Sequence, residues 1–373
     1  MSTPTILVTG ATGKIGTAVT EQLLEHGEVK VRALVRRKDG RSERLQKLGA
    51  ELVLADLFDP PQVEAAVRGV QRIAYVPPWH PHVLNSGVLF ASAAQRAGVE
   101  AIVGLTQWLA SPTHPAISTR QMWLLDRLLD RIPGVAHVTV NPGFFAADYL
   151  LPLPLATLFG IFPWPAGGGR NAPASNEDIA RVMVASLLDP EHHAGRTYHP
   201  TGPEMLSGAD MARIIGEVVG RRVRHVDISG PQMMRALRVA GRRFGMDDFL
   251  QAQFRWFLEE TRLGTWETGG VTTHVRDVAG VEPESFGTIV RRTLARRPDA
   301  RRTLGNYLRE LWSAFRTVVT PGIDVERFER QQQHPRPPTP ELSGESGRWA
   351  EEHGVRLLTK VAPVRSIPVR SAS

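Results

Sequence analysis

Cysteine is missing altogether from these 373 residues. Its absence excludes disulfides, zinc–thiolate sites and thiol nucleophiles. Tyrosine is scarce, with only Tyr75, Tyr149, Tyr198 and Tyr307. No uninterrupted apolar run reaches the roughly 20 residues that a spanning helix needs, and no apolar leader precedes the first strand pattern. A chain with no transmembrane segment and a cytoplasmic location is therefore the expectation. Acid is also in deficit: 38 Asp and Glu stand against 45 Lys and Arg, a net charge of +7. The arginine excess falls late, in 221–243 and 291–302. A basic surface can meet nucleic acid or anionic lipid. No nucleic-acid motif accompanies this one, so it reads as a solvated face with no specific nucleic-acid partner.

What is present suits a large core. With 42% hydrophobic and 22% charged residues, the chain can build one big domain or two unequal ones. Its most informative stretch is Ile6 to Gly16. A short apolar run, 6–8, leads into Gly10, Gly13 and Gly16 at three-residue spacing, and an amphipathic segment, 14–26, follows at once. That is a strand, a tight turn and a helix. The first glycine permits the turn, the second lets backbone approach a pyrophosphate, and the third lets the helix pack on the strand. The helix N-terminus then offers free N–H groups to the phosphates.

The alternation continues. Strand patterns at 6–8, 29–35, 51–54, 72–75, 101–105 and 137–140 are separated by helical ones at 14–26, 43–48, 61–67, 83–97 and 117–132. Buried strands alternating with helices predict a doubly wound parallel α/β sheet. Gly27, Gly49, Gly69, Gly98 and Gly134 each follow a helix, where a left-handed cap is wanted. After Asn141 the pattern changes to a proline-punctuated apolar loop, a glycine run at 167–169, and helices at 176–188, 208–219, 231–239, 247–260 and 286–294. Short strands fall at 197–199 and 223–227. The expected organisation is a nucleotide-binding domain over 1–150, a small α+β substrate-side subdomain over 151–295, a helical extension over 296–330 and a flexible tail over 331–373, within which Trp349, Leu357 and Leu358 are the residues that could dock. Within the extension, 303–319 carries one continuous apolar stripe. It is read as a helix packed on its own domain or docked on a second subunit as a homodimer.

The end of the second strand selects the cofactor. An acid there would bind a ribose 2′-hydroxyl, whereas arginine accommodates a 2′-phosphate. The chain has Arg36-Arg37-Lys38, and a guanidinium grips phosphate through two donors. NADP(H) is the expected cofactor, with Arg36 first and Arg37 second. Gly10, Thr12, Gly13, Lys14 and Ile15 are expected to hold the pyrophosphate. Asp56 and Leu57 frame the adenine, Pro77 closes the fourth strand, and Thr106, Pro142, Gly143 and Phe144 border the nicotinamide. These assignments follow the rule that ligands bind at the carboxyl ends of such sheets.

Several stretches together resemble the NmrA-like branch of the atypical short-chain dehydrogenase/reductase superfamily. They are Gly10-Ala-Thr-Gly-Lys-Ile-Gly16, the 31–36 strand, Asp56-Leu-Phe-Asp59, Val140-Asn-Pro-Gly-Phe-Phe145, Leu206-Ser-Gly-Ala-Asp-Met-Ala212 and Gly220-Arg-Arg-Val-Arg-His-Val-Asp227. The resemblance covers about 5–294. It implies a Rossmann domain binding NADP(H) and a small C-terminal subdomain bearing the substrate cleft. It also implies a choice between NADPH-dependent quinone, azo or imine reductases and non-catalytic redox-sensing regulators. The extension after Leu294 lies outside the usual pattern. One departure matters. Carbonyl-reducing members use Tyr-x-x-x-Lys, with Tyr as general acid. None of the four tyrosines here has Lys four residues later, and the 117–132 helix has neither residue. Arg120 or Gln121 could take over ribose contacts.

Hydride transfer needs no protein acid, because the cofactor carries it. The first expectation is an NADPH-dependent oxidoreductase acting on a hydrophobic conjugated small molecule of quinone, imine or enone type. The alternative is a non-catalytic NADP(H) sensor. Phe144, Phe145, Tyr149, Phe159, Phe162 and Trp164 are offered as an apolar pocket or as core. His80, His114 and Tyr149, with His82, are the candidate proton donors. His80 and His82 lack a third ligand, so no metal is expected.

Overall fold

Seven parallel strands form the centre of the molecule. In this computed structural model, which describes residues 3–241 and 245–358, six of them are β1 (Thr5–Val8), β2 (Lys30–Val35), β3 (Glu51–Leu54), β4 (Arg72–Tyr75), β5 (Ala101–Leu105) and β6 (Ala136–Val140). Thr197–Tyr198 is the seventh. The order is β3-β2-β1-β4-β5-β6 followed by the seventh strand. Ile6 pairs with Val31 on one side and with Arg72 on the other. The order reverses between β1 and β4, which opens the crevice where dinucleotides bind. Ile6, Leu7 and Val8 are fully buried, as expected of a strand covered on both faces.

The five helices of the first half are α1 (Lys14–His26), α2 (Gly40–Lys47), α3 (Pro60–Val67), α4 (Val83–Ala97) and α5 (Ile117–Asp130). All five expected stop glycines have positive φ. Val19 and Leu23 of α1 share a core with Ile6 and Val8. Phe90 of α4 and Leu125 and Leu129 of α5 fill the opposite face with Leu7 and Ile73.

The boundary at residue 150 needs correction. Asn176–Leu188 returns to the sheet, where Ile179, Val182 and Met183 join the α1 side of the core. Thr197–Tyr198 then pairs with β6. The separate subdomain is thus discontinuous. It comprises the helices Leu153–Phe159, Gly208–Val219, Gly230–Ala240, Asp248–Leu263 and Phe286–Ala295. Two small strand pairs accompany them: Ile161–Pro163 with Arg224–Val226, and Arg170–Asn171 with Leu206–Ser207.

Two further expectations change. The helix Leu304–Val319 forms, but it is turned inside out. Leu304, Leu308, Leu311, Trp312, Phe315, Val318 and Val319 are exposed, while Asn306 and Ser313 are buried. The apolar stripe therefore does not pack on its own domain. The segment expected to be a flexible tail docks, at least as far as Leu358. It forms a short helix, Gly347–His353, whose Trp349 is fully buried. Trp349 packs edge-on against Trp108 and donates its Nε1–H to the Trp108 carbonyl at 2.9 Å. Ser343 Oγ donates to the Leu109 carbonyl at 2.7 Å. Residues 359–373 of that expected tail lie outside the described residues.

A docked tail predicts that Trp349→Ala lowers the unfolding free energy by about 3–5 kcal/mol. Urea titration of the two proteins checks this, and a tail hanging in solvent would show no change.

Candidate cofactor and substrate site

Sterics at the glycine turn set the site. A Cβ on Gly16 would stand 2.2 Å from the Gly10 carbonyl oxygen, so α1 starts in direct contact with the turn. Gly10 has φ +58°, which a side chain would strain. Gly13 is the N-cap of α1 and provides no side-chain cap, and no acid occupies the first turn. The leading amides at Lys14 and Ile15 are thus left for an anion. Lys14 reaches Asp148 at 3.6 Å. Burial pushes the Asp148 carboxyl above its ordinary range, and Lys14 pulls it back.

The cationic end of the site has more members than the sequence indicated. Arg36 and Arg37 follow β2 and are exposed. Arg41, in the first turn of α2, joins them by donating Nη1–H to the Thr12 carbonyl at 3.3 Å. Asp39 is the first acid after β2, with Glu43 following in the first turn of α2, and it is already committed. Its side chain caps α2 by accepting from the Arg41 and Ser42 amides. The Arg41 side chain bonds it, and with the Ser42 amide holds its carboxyl down at about 2. An acid engaged in this way is not free for a ribose hydroxyl. The arrangement fits the 2′-phosphate of NADP(H). The positional signal for Arg41 was available, since it stands just past the second strand, but only the return of α2 to the turn brings it there.

The remaining cofactor candidates are spread along the carboxyl edge of the sheet. Asp56 is exposed, and its Oδ1 accepts the Phe58 amide at 2.9 Å. Leu57 points into the core, so only its backbone faces the groove. Pro77 is half-buried just after β4. Thr106 donates its amide to the Val140 carbonyl, and Trp108 donates to the Pro142 carbonyl at 3.1 Å. These bonds bring the β5 and β6 exits together. Gly143 lies between Asn171, His199 and Trp266. Phe144 turns its ring inward, where Trp164, Phe254 and Trp266 surround it.

The aromatic pocket is therefore corrected to core. Phe144, Tyr149, Phe162 and Trp164 are buried in one cluster. Phe145 packs on the sheet side, and Phe159 meets Tyr307. The open space lies elsewhere. A cleft of about 660 Å³ runs between the β4 exit and the start of Asp248–Leu263, and His80, Met246, Phe249, Phe328 and His334 line it.

Of the four candidate proton donors, only His80 lines this cleft. Its ring lies 4.6 Å from Phe58, and its Nδ1 accepts the His82 amide at 3.2 Å. Burial, then His82, lowers its pKa. A neutral ring bonded this way carries its proton on Nε2. Tyr149 is buried, and burial raises its phenol above the ordinary range. His114 is fully enclosed, with Nδ1 accepting the Ala116 amide and Nε2 bonded to Glu260 at 3.1 Å. Arg120 is also withdrawn from a ribose role, since its guanidinium bonds the carbonyls of His114, Pro115 and Pro335. Gln121 donates to the Pro81 carbonyl at 2.8 Å.

His199 was missed in the sequence, although it directly follows the seventh strand. Its Nδ1–H donates to the Asn141 carbonyl at 2.7 Å and its ring stacks on Trp108 at 3.9 Å. Burial lowers its pKa to about 4. It therefore stands as a neutral imidazole beside Gly143.

Two outcomes follow from this geometry. Arg36→Asp or Arg41→Ala weakens NADPH binding by about tenfold or more, about 1.4 kcal/mol, and leaves NADH binding nearly unchanged. Titration of nicotinamide fluorescence reads both. His199 binds its proton less readily when folded. Its contribution to stability is complete above its ordinary value of 6.5 and is lost as pH falls through about 4. The loss amounts to at most about 3 kcal/mol. Urea titrations at about pH 7 and about pH 4.5 should show a smaller loss for His199→Phe than for the parent.

Known proteins share this architecture. A model of the NmrA-like family matches residues 2–104. The chain is 33% identical over 237 residues to an NAD(P)H azoreductase of Xenophilus azovorans, covering 63% of this chain and 81% of that protein. It is 25% identical over 254 residues to quinone oxidoreductase 2 of Escherichia coli K12, covering 66% and 85%. The Escherichia coli NADPH-dependent quinone oxidoreductase complexed with NADPH superposes with a TM-score of 0.67 at 22% identity, over 78% of this chain and 99% of that one. A Citrobacter sp. triphenylmethane reductase complexed with NADP(H) superposes equally well at 19% identity, over 77% and 99%. The glycine turn, the seven-stranded sheet and these likenesses together establish that the chain belongs to the NmrA-like family of NAD(P)-binding oxidoreductases, of the atypical short-chain dehydrogenase/reductase type.

Proposed function

We infer that this protein uses NADPH to reduce a hydrophobic, conjugated small molecule of quinone, imine or enone type. The observation that carries this reading is the juxtaposition of the arginine-flanked glycine turn with the cleft at the β4 exit. Met246, Phe249 and Phe328 supply an apolar wall of that cleft, while His80, Asp247, Asp248, Gln332 and His334 add polar groups. A volume of about 660 Å³ suits a ligand of several rings. The azoreductase relative supports a substrate of this kind.

When bound, NADPH supplies the hydride, and the protein supplies position and electrostatics. The amides at Lys14 and Ile15 hold the pyrophosphate. Arg36, Arg37 and Arg41 hold the 2′-phosphate. Thr106, Pro142 and the backbone at Gly143 border the nicotinamide. His80 lies against Phe58, with Arg36 and Asp56 among its charged neighbours, at the adenine end of this scheme, and water supplies the proton at the nicotinamide end. No tyrosine–lysine pair enters this scheme.

A non-catalytic NADP(H) sensor is the second reading. The observation favouring it is the use of Arg120, on the helix that would bear the pair, to hold the C-terminal segment at Pro335. One experiment separates the two. NADPH is incubated with the protein and a panel of quinones, imines and enones, and loss of nicotinamide absorbance is followed. Turnover of at least one class is expected. Tight NADPH binding with no turnover across the panel would leave the sensor reading in its place.

A further inference from the structure

The helix Leu304–Val319 meets its own protein through Asn306, Ser313 and the Tyr307 ring, which packs edge-on against Phe159. Asn306 Nδ2 donates to the carbonyls of Pro298 and Arg301, both at 2.9 Å. Ser313 is buried on the same side. The opposite side carries large apolar groups in water. Leu304 is 76% exposed, Trp312 61% and Val318 75%. Trp312 and Phe315 stack on each other at 5.5 Å without leaving solvent. An amphipathic helix ordinarily buries its apolar stripe, so this one is built to be covered by something else.

Charge identifies the cover. Arg309 and Arg316 are exposed along one edge of the stripe, and Arg301 and Arg302 precede its first turn. The helix has one acid, Glu310, which is half-buried. Beside the helix start lies a groove of about 640 Å³. Val218, Val219 and Leu294 help form its apolar lining, and Arg291, Arg301 and Arg302 also line it, with the Arg302 guanidinium bonded to the Thr157 and Val219 carbonyls. An apolar face edged by arginine, with Trp and Phe at its centre, matches the interface of an anionic bilayer. The groove matches an anionic headgroup with the start of its acyl chain.

A second copy fits less well. Sixteen residues make a helix about 24 Å long and about 10 Å across, a projected face of about 240 Å². A stable pair needs about 800 Å² from each partner. In an antiparallel two-fold pair the arginine edge would also face its own copy. Nor does the helix span a bilayer. About 24 Å is short of the roughly 30 Å hydrocarbon core, and among the described residues no helix is long and apolar enough to cross a membrane.

We propose that Leu304–Val319 and the adjoining arginine groove dock this protein on an anionic phospholipid surface, with the helix lying in the interface. The inference is independent of the enzymatic reading. The full chain is mixed with vesicles of phosphatidylcholine alone, or of phosphatidylcholine with phosphatidylglycerol, and floated on a density gradient. At least tenfold more protein should float with the anionic vesicles. The Trp312→Glu/Phe315→Glu variant should lose at least tenfold of that binding. The Arg309→Ala/Arg316→Ala variant should lose the preference for phosphatidylglycerol. Unchanged NADPH fluorescence in both variants shows that they are folded. Equal failure to float with either vesicle, or flotation unaffected by the aromatic variant, overturns the proposal. So does a dimer in light scattering that Leu308→Glu dissociates, which would assign the face to a second copy.

Discussion

The contact between Gly16 and the Gly10 carbonyl is the constraint on which the rest of the site depends. With no room for a Cβ, α1 begins against the end of β1. That fixes where its leading amides point and where a pyrophosphate can sit. The helix is held there by burial, because Val19 and Leu23 share a core with Ile6, Val8 and the returning helix Asn176–Leu188. Sheet, helix and phosphate site are therefore one packed object. The discontinuous topology serves it, since the chain leaves the domain after β6 and comes back to cover α1.

Around this fixed point electrostatics does the selecting. Three arginines gather near the turn. The first acid after β2, Asp39, is engaged as a helix cap and held ionised by Arg41 and the Ser42 amide. The same residue starts α2 and so brings Arg41 to the Thr12 carbonyl. Local capping and cofactor selection thus rest on one side chain.

The far side of the site follows a different logic. This chain uses α5 and the loop before it as an anchor. Glu260, fully buried, accepts from the Ser343 and Gly344 amides and from Thr265, and bonds His114. Arg120 secures Pro335, and Trp123 donates to Glu352 at 2.9 Å. A buried carboxyl with this many donors is well satisfied, and its partners come from segments as far apart as His114 and Ser343. The extension is therefore part of the site's architecture. It surrounds the β5 exit with Trp349, while its other helix faces outward.

The strand–turn–helix at the start, the parallel sheet and the preference for NADP(H) were legible in the sequence alone. Each rests on short-range physics: glycine sterics, buried runs between helical periods, and arginine in place of acid a few residues past a strand. Phe144, Tyr149 and Trp164 were legible as an apolar group, but not as core, because periodicity cannot tell a pocket wall from packed interior. His114 and Arg120 read as free polar groups until their partners arrived from Glu260 and Pro335. The tail read as mobile from its prolines and glutamines, yet Ser343 bonds Leu109 across 234 residues of chain. What the amino-acid sequence determined by itself is the local geometry that binds a dinucleotide. What only the tertiary structure decided is which side chains remain free to act there, because that depends on contacts between segments far apart in the chain.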